Sequence, residues 1–282
     1  VDCIPCFLRQ AVEAERMSSN DEVVREAVLR EVMDYLLKED WAKTPSELGT
    51  NIHRIVKKRT GKYDPYRRVK EEHNKASLKL YPSLKELVEE SSNSLLKAIK
   101  VAIAGNVIDL GAGLSTDLNQ AIQEVLESPF TVNHFNKLKN SIRVNRKVLF
   151  FADNAGEVFF DRVLLEELTK GDIEVTYVVK GGPIINDATL HDARAAEIEN
   201  VARVTTTGTD CVGVLFEECS KEFLQEFEEA QLIISKGQGN YESMSNIEGK
   251  EIFFLLRAKC PVIAEDLGVK LGSIILKRSR KP

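Results

Sequence analysis

The chain has 282 residues, of which 43% are hydrophobic and 29% charged; this is a globular composition, long enough for one large domain or two smaller ones with their own cores. A net charge of -5 gives no basic face of the kind nucleic acid needs, so nucleic acid is excluded as a partner. The longest apolar stretch, residues 95–110, is broken by Lys97, Lys100 and Asp109 and falls short of the roughly 20 apolar residues of a membrane span, so no membrane is expected. Five cysteines are sparse and odd in number, which is not a disulfide framework, and Val1-Asp2-Cys3 lacks a basic region followed by an apolar run; the expected location is the cytoplasm.

The first 130 or so residues read as helices. Ser19 and Glu22 have capping-box spacing, and Val24, Val28, Val32 and Leu36 follow on one face. Thr44-Pro45-Ser46-Glu47 gives a second start, with a Thr cap, Pro at the first helical position and Glu at the third; Leu48, Ile52 and Ile55 continue it. Asp64-Pro65-Tyr66 opens a third helix through Ser77. Tyr81-Pro82-Ser83 opens a fourth that runs through residues 95–104. Trp41 is expected to anchor this lobe.

The rhythm then changes. Residues 147–152, 173–179, 201–206 and 232–235 are short apolar runs of strand length, and helical patterns lie between them at 158–168 and 217–229. Strands alternating with helices imply a mainly parallel sheet covered on both faces. Residues 252–256, 262–263 and 274–276 are further apolar runs that periodicity does not assign. The expected fold is therefore α/β: a mainly parallel sheet flanked by helices over residues 131–282, with an N-terminal helical lobe over residues 1–130 packed against it.

Ligands of open α/β sheets bind beyond the carboxyl ends of the strands, and three such ends carry unusual residues. In Asp153-Asn154-Ala155-Gly156-Glu157 a buried strand runs into two hard-oxygen side chains of the type Mg²⁺ or Mn²⁺ prefers, then into small residues and a helix start; the alternative is an ordinary turn and cap. In Lys180-Gly181-Gly182-Pro183-Ile184-Ile185-Asn186-Asp187 the last acid either completes a metal site or caps the next helix. In Lys236-Gly237-Gln238-Gly239 a lysine before glycines suits phosphate, although the Walker spacing is absent, and a solvated lysine on a glycine turn is the alternative.

Taken in order, Cys3-Ile4-Pro5-Cys6, Asp64-Pro65-Tyr66 with Lys70 and Asn74, Ala104-Gly105-Asn106 with Asp109, Asp153-Asn154-Ala155-Gly156-Glu157, Pro183 with Asn186-Asp187, and Lys236-Gly237 resemble the damage-control phosphatase family, catalogued as domain of unknown function 89. The Cys-x-x-Cys start points to its first subfamily. The resemblance implies a divalent-metal-dependent phosphatase of small phosphomonoesters, sugar phosphates or damaged phosphometabolites. It implies one divalent metal ion (Mn, Co, Ni or Mg) on Asp153, Asn154 and Asp187. It implies catalytic work by Asp153, Glu157 and Lys236, and substrate contacts from Lys70, Asn74, Asn106, Asp109, Lys180, Asn186 and Gly237. The partner implied is a small phosphorylated metabolite. An activated water is the favoured nucleophile, since Ala155 stands where an Asp-x-Asp pair would need its second acid.

Two alternatives come from other motifs. Residues 107–113 carry an acid-glycine pattern like the turn that holds S-adenosylmethionine, which invites a carboxyl methyltransferase. Cys3 and Cys6 have spacing suited to thiol exchange or metal, inviting a redox or metal carrier, and a helix start beside them would lower a thiol pKa.

Overall fold

The computed structural model describes residues 1–19, 21–106 and 117–279. Three helices, α1 (Cys3–Ser18), α2 (Glu22–Lys38) and α3 (Pro45–Thr60), come first. Thr44 caps α3 in a full capping box with Glu47, as the spacing predicts, and Gly61 ends it in the left-handed conformation. The start of α2 differs from expectation. Its cap is Asp21, which accepts from Val23 N, while Ser19 Oγ accepts from Asp21 N one step earlier. Trp41 is 47% exposed, and its indole N–H closes the end of α2 on Leu36 O.

The fourth helix expected at Pro82 does not start there. Helix α4 (Arg67–Glu89) carries Pro82 inside it, and the break falls after Glu90, where Asn93 caps α5 (Ser94–Ala104) by accepting from Leu96 N. Local turn chemistry at Ser91-Ser92-Asn93 therefore outweighs the proline as a helix boundary. Helix α6 (Asp117–Glu127) completes the N-terminal helices.

Seven strands form one sheet: β1 (Val132–Asn133), β2 (Lys147–Phe151), β3 (Glu174–Val179), β4 (Arg203–Thr206), β5 (Ile233–Lys236), β6 (Ile252–Arg257) and β7 (Ile274–Arg278). Their order is β1-β7-β6-β5-β2-β3-β4, parallel except for the antiparallel pair β6–β7. Of the unassigned runs, 252–256 and 274–276 are strands. Residues 262–263 lie in a helix, α12 (Pro261–Leu267), opened by Pro261. The remaining helices are α7 (Phe135–Val144), α8 (Val158–Thr169), α9 (Leu190–Ala195), α10 (Lys221–Glu229) and α11 (Gln238–Met244); a short 3₁₀ turn at Phe216–Glu218 precedes α10, so that helix starts later than its pattern predicts.

Side chains alternate across the sheet, as strand geometry requires. Val148 and Phe150 of β2 join one buried cluster with Phe253 and Leu255 of β6, and residues of α4, α5, α6 and α8 cover it. Leu149, Phe151, Phe254 and Leu256 join the opposite cluster, under α10, α11 and α12. Helices α1–α3 hold a third core around Phe7, Val32 and Ile52. Hydrophobic packing thus places α4, α5 and α6 with the sheet and leaves α1–α3 as the separately cored group. That group docks through polar contacts: Arg54 of α3 bonds Asp210 and Glu218, Lys57 reaches Pro183 O, and Thr50 Oγ1 accepts from Val212 N. Among the described residues, no helix is long and apolar enough to cross a membrane.

Candidate active site

The chain enters the sheet centre at β2 and moves outward through β3 and β4. It then returns to the other side of β2 as β5, and proceeds through β6 to β7. The carboxyl ends of β2 and β5 therefore flank the point where the winding reverses, which opens a crevice. Asp153-Asn154 follows β2 and Gly237 follows β5, so both segments sit at that crevice.

Backbone pairing adds the third segment. Asn154 and Asp187 face each other across an isolated antiparallel bridge, with Ala155 N donating to Asn186 O and Ala188 N donating to Asp153 O at 2.9 and 2.8 Å. These bonds flank the Asn154–Asp187 pair. It is therefore the narrow kind, with Cα atoms typically about 4.5 Å apart and side chains on one face. The loop reaches this register through Ile185, whose φ of 45° is strained for a β-branched residue; its side chain packs against the α1–α3 core. The other role open to Asp187 was a helix cap. The cap of α9 is Thr189, in a reciprocal box with Asp192.

Asp153 is fixed from the other side. Gly237 has φ +80°, and a Cβ there would fall 2.0–2.2 Å from the Asp153 carboxylate, so the carboxylate lies directly on the Gly237 backbone. Only glycine allows both that φ and that approach. The Gly237 N–H is spent on Leu255 O. Asn154 Nδ2 lies 3.3 Å from Asp153 Oδ2 and 2.8 Å from Glu157 Oε1, which leaves its Oδ1 as the acceptor. The backbone thus brings Asp153, Asn154 and Asp187 side by side, and their two carboxylates and one carboxamide oxygen are of the hard type that suits a divalent cation such as Mg²⁺ or Mn²⁺. Among the described residues no group of three His, Cys, Asp or Glu side chains could hold a metal; a set with one carboxamide lies outside that description.

Beneath this cluster is a fully buried ionic group. Lys236 Nζ lies 2.7 Å from Glu157 Oε2 and 2.8 Å from Asp161 Oδ1, and Tyr177 OH donates to Asp161 Oδ2 at 2.7 Å; all four residues have zero exposure. Burial alone would lower the lysine pKa, but Asp161 and Glu157 outweigh it and hold it above the ordinary value. Burial, reinforced by Glu157, pushes Asp161 up to about 6 against the pull of Lys236. Lys236 is therefore neither solvated nor open to a ligand on two of its three donors.

Lys180, at the end of β3, lies 3.4 Å from Asp187 Oδ2 and also donates to Gly213 O. It lines a cleft of about 350 Å³ with Lys70, Gly181, Pro183, His191 and Asp192. Lys70 on the cleft wall and Asn74, one turn on along α4, both hold Asp192: Lys70 Nζ is 3.3 Å from Oδ2 and Asn74 Nδ2 donates to Oδ1 at 2.8 Å. Asn106 is buried, and neither of its amide atoms has a partner among the described residues. The residue before it, Gly105, packs so closely on Glu157 and Phe160 that a Cβ would meet them at 3.2–3.3 Å. Asp109 and the 107–113 pattern lie outside the described residues.

The structure therefore joins Asp153, Asn154, Glu157, Lys180, Asn186, Asp187, Lys236 and Gly237 in one contact network, with Lys70 on the adjoining cleft wall and Asn74 behind it on Asp192. Cys3 and Cys6 share no hydrogen bond or ion pair with it. They occupy the first two turns of α1 and do not precede it. The Cys3 thiol is pushed up, not down, by burial and by nearby Glu242 and Cys260. All five cysteines are free thiols. Sequence reasoning missed Asp161, Tyr177 and Asp192. One signal for Asp161 was present: Glu157 and Asp161 are four apart at the start of α8, hence on one face, with Val158, Phe159 and Phe160 between them. Another, for Asp192, was its capping-box spacing from Thr189.

Comparison with known proteins bears on this arrangement. Residues 1–275 match the family described as damage-control phosphatase ARMT1-like domain. An uncharacterised protein of Methanocaldococcus jannaschii is 41% identical, over 98% of this chain and 94% of that one. A damage-control phosphatase of Archaeoglobus fulgidus is 34% identical, over 98% of this chain and 97% of that one. The crystal structure of a DUF89 family protein from Pyrococcus horikoshii superposes with a TM-score of 0.92 at 33% identity, covering 99% of this chain and 98% of that one. The chain belongs to the damage-control phosphatase ARMT1-like family and is an enzyme of that family.

Proposed function

We propose that this enzyme hydrolyses small phosphomonoesters, such as sugar phosphates or damaged phosphometabolites, with one divalent cation held by Asp153, Asn154 and Asp187. The observation that carries the reading is the narrow Asn154–Asp187 pair beside a carboxylate seated on the Gly237 backbone. When bound there, a divalent cation neutralises and polarises the phosphoryl group. Mg²⁺, Mn²⁺, Co²⁺ and Ni²⁺ all suit the oxygen donors.

The chain's own residues do the rest. Lys180, on the cleft wall beside Asp187, supplies a positive charge to the phosphate oxygens. Asn106 and Asn186 offer amides to the ester. Lys70 and Asn74 hold the wall through Asp192, and the cleft of about 350 Å³ takes the alcohol portion. Gly237 seats Asp153. Glu157 and Lys236 act from beneath by orienting Asn154, and the attacking group is a water.

The test is turnover of an aryl phosphate and a small sugar-phosphate panel after EDTA, then with each metal restored. Asp153→Ala is expected to abolish metal-restored turnover while its circular-dichroism melt stays close to that of the parent. Robust turnover by that variant would overturn the assignment.

A further inference from the structure

We propose that Asp161, outside the cation and substrate sets, is a positioning residue that decides which side of the Asn154 carboxamide faces the cation, acting through Lys236 and Glu157; this rests on the reading of Asp153, Asn154 and Asp187 as the cation site. A Lys236–Glu157 pair alone would already be neutral. Asp161 adds a second carboxylate, so this fully buried group holds two carboxylates against one ammonium. Burying a surplus charge is costly, and packing alone gives no reason for it.

The geometry supplies a reason. Asp161 is anchored at both oxygens, Oδ2 by Tyr177 OH at 2.7 Å and Oδ1 by Lys236 Nζ at 2.8 Å. The ammonium is thereby held on Glu157 Oε2 at 2.7 Å, which leaves Glu157 Oε1 to accept from Asn154 Nδ2 at 2.8 Å. With its N–H side engaged there, the carboxamide presents Oδ1 to the cation. Without Asp161, the ammonium is free to swing across both Glu157 oxygens and compete with Asn154 for Oε1. The carboxamide then loses the shorter of its two orienting contacts, keeping only the 3.3 Å approach of Nδ2 to Asp153 Oδ2, and a flipped amide would point N–H groups at a positive ion. Partners of this outer kind typically govern metal affinity by about 10- to 100-fold.

The test measures Mn²⁺ binding to the whole chain by electron paramagnetic resonance of the free ion, without substrate. Asp161→Asn is expected to weaken binding about tenfold, and Tyr177→Phe about threefold, since it removes one bond to Asp161. Val163→Ala, a buried change elsewhere on α8, should lower the melting temperature and leave Mn²⁺ affinity unchanged. Unaltered affinity in both Asp161→Asn and Tyr177→Phe would overturn the relay. So would equal weakening in Val163→Ala, because the effect would then be general loosening. If Asp161→Asn does not fold, Tyr177→Phe decides alone. Failure of the parent protein to bind Mn²⁺ would remove the cation site itself, an outcome visible before any variant is compared.

Discussion

The ends of β3 and β5 look alike in sequence, each a lysine followed by glycine, yet they serve different ends. Lys180 stands on the wall of an open cleft, against Asp187 and Gly213 O. Lys236 is sealed between Glu157 and Asp161 with no exposure. Their glycines differ in the same way. Gly181 is small because the Gly208–Thr209 backbone lies 2.5–2.6 Å from where a Cβ would be, whereas Gly237 is small because the Asp153 carboxylate does. One end fits two loops together and keeps its lysine, 5% exposed, at the cleft lining. The other builds the floor of the site. Both strands are interior neighbours of β2, but β5 lies on the side where the winding reverses, and its end is roofed by the start of α8.

The sharpest way to break the comparison is to remove the two ammonium groups in turn. Lys236→Met leaves Glu157 and Asp161 buried without a counter-charge and should cost about 3–5 kcal/mol of stability in urea melts. Lys180→Met, which leaves one carboxylate and not two without its partner, should cost less, about 1–3 kcal/mol, and show also as a raised KM for the phosphate ester. Equal stability losses would mean that the two lysines are structurally equivalent. The glycines give the next test. Gly237→Ala displaces Asp153, and a shift near 1 Å at the reacting centre is worth about 100-fold in kcat/KM. Gly181→Ala should instead loosen the 208–209 loop, destabilising by about 1–3 kcal/mol with far smaller change in turnover of the folded fraction. Matching kinetic losses would erase the distinction.

A pH effect contrasts the paired charges under the site with a buried group that has no counter-charge in the α1–α3 core. His53 is held neutral, its pKa lowered to about 4 by burial and by Lys57, with Nε2 3.3 Å from Gln10 Oε1. Because the unfolded chain protonates this histidine near pH 6.5 and the folded chain does not, the contribution is present above that pH and is lost as pH falls through about 4. Between pH 7 and 5 it amounts to about 2 kcal/mol. Urea melts at the two pH values should show His53→Gln losing less stability than the parent on acidification. An identical loss would place the acid sensitivity elsewhere.

Much of the fold was legible in the chain. The apolar runs at 147–152, 173–179, 201–206 and 232–235 are β2 to β5 within one or two residues; for β2, β3 and β5 this is because a strand buried on both faces needs an apolar run, whereas β4, at the edge, is less buried. The capping box at Thr44 was equally plain, since its bonds are made within four residues. Pro82 misled because the turn that stops α4 is set by serines and Asn93 further on. Val262-Ile263 was ambiguous because two apolar residues fit either period, and Pro261 at the first helical position decided it. Within the site, the residue types at each strand end pointed to hard-oxygen and phosphate chemistry. Their partners did not show, because Glu157 and Lys236 are 79 residues apart and Asn74 and Asp192 are 118 apart.

By itself, then, the sequence determined the α/β class, the strand ends that carry polar residues and the family the chain resembles, because periodicity, caps and short motifs are local. Only the tertiary structure decided that Asn154 and Asp187 form a narrow pair, that Gly237 seats Asp153, and that Lys236 is a buried strut while Lys180 faces the cleft. Those outcomes depend on strand order and on which helix start roofs which strand, and a buried charge takes its meaning from neighbours that the chain supplies from far away.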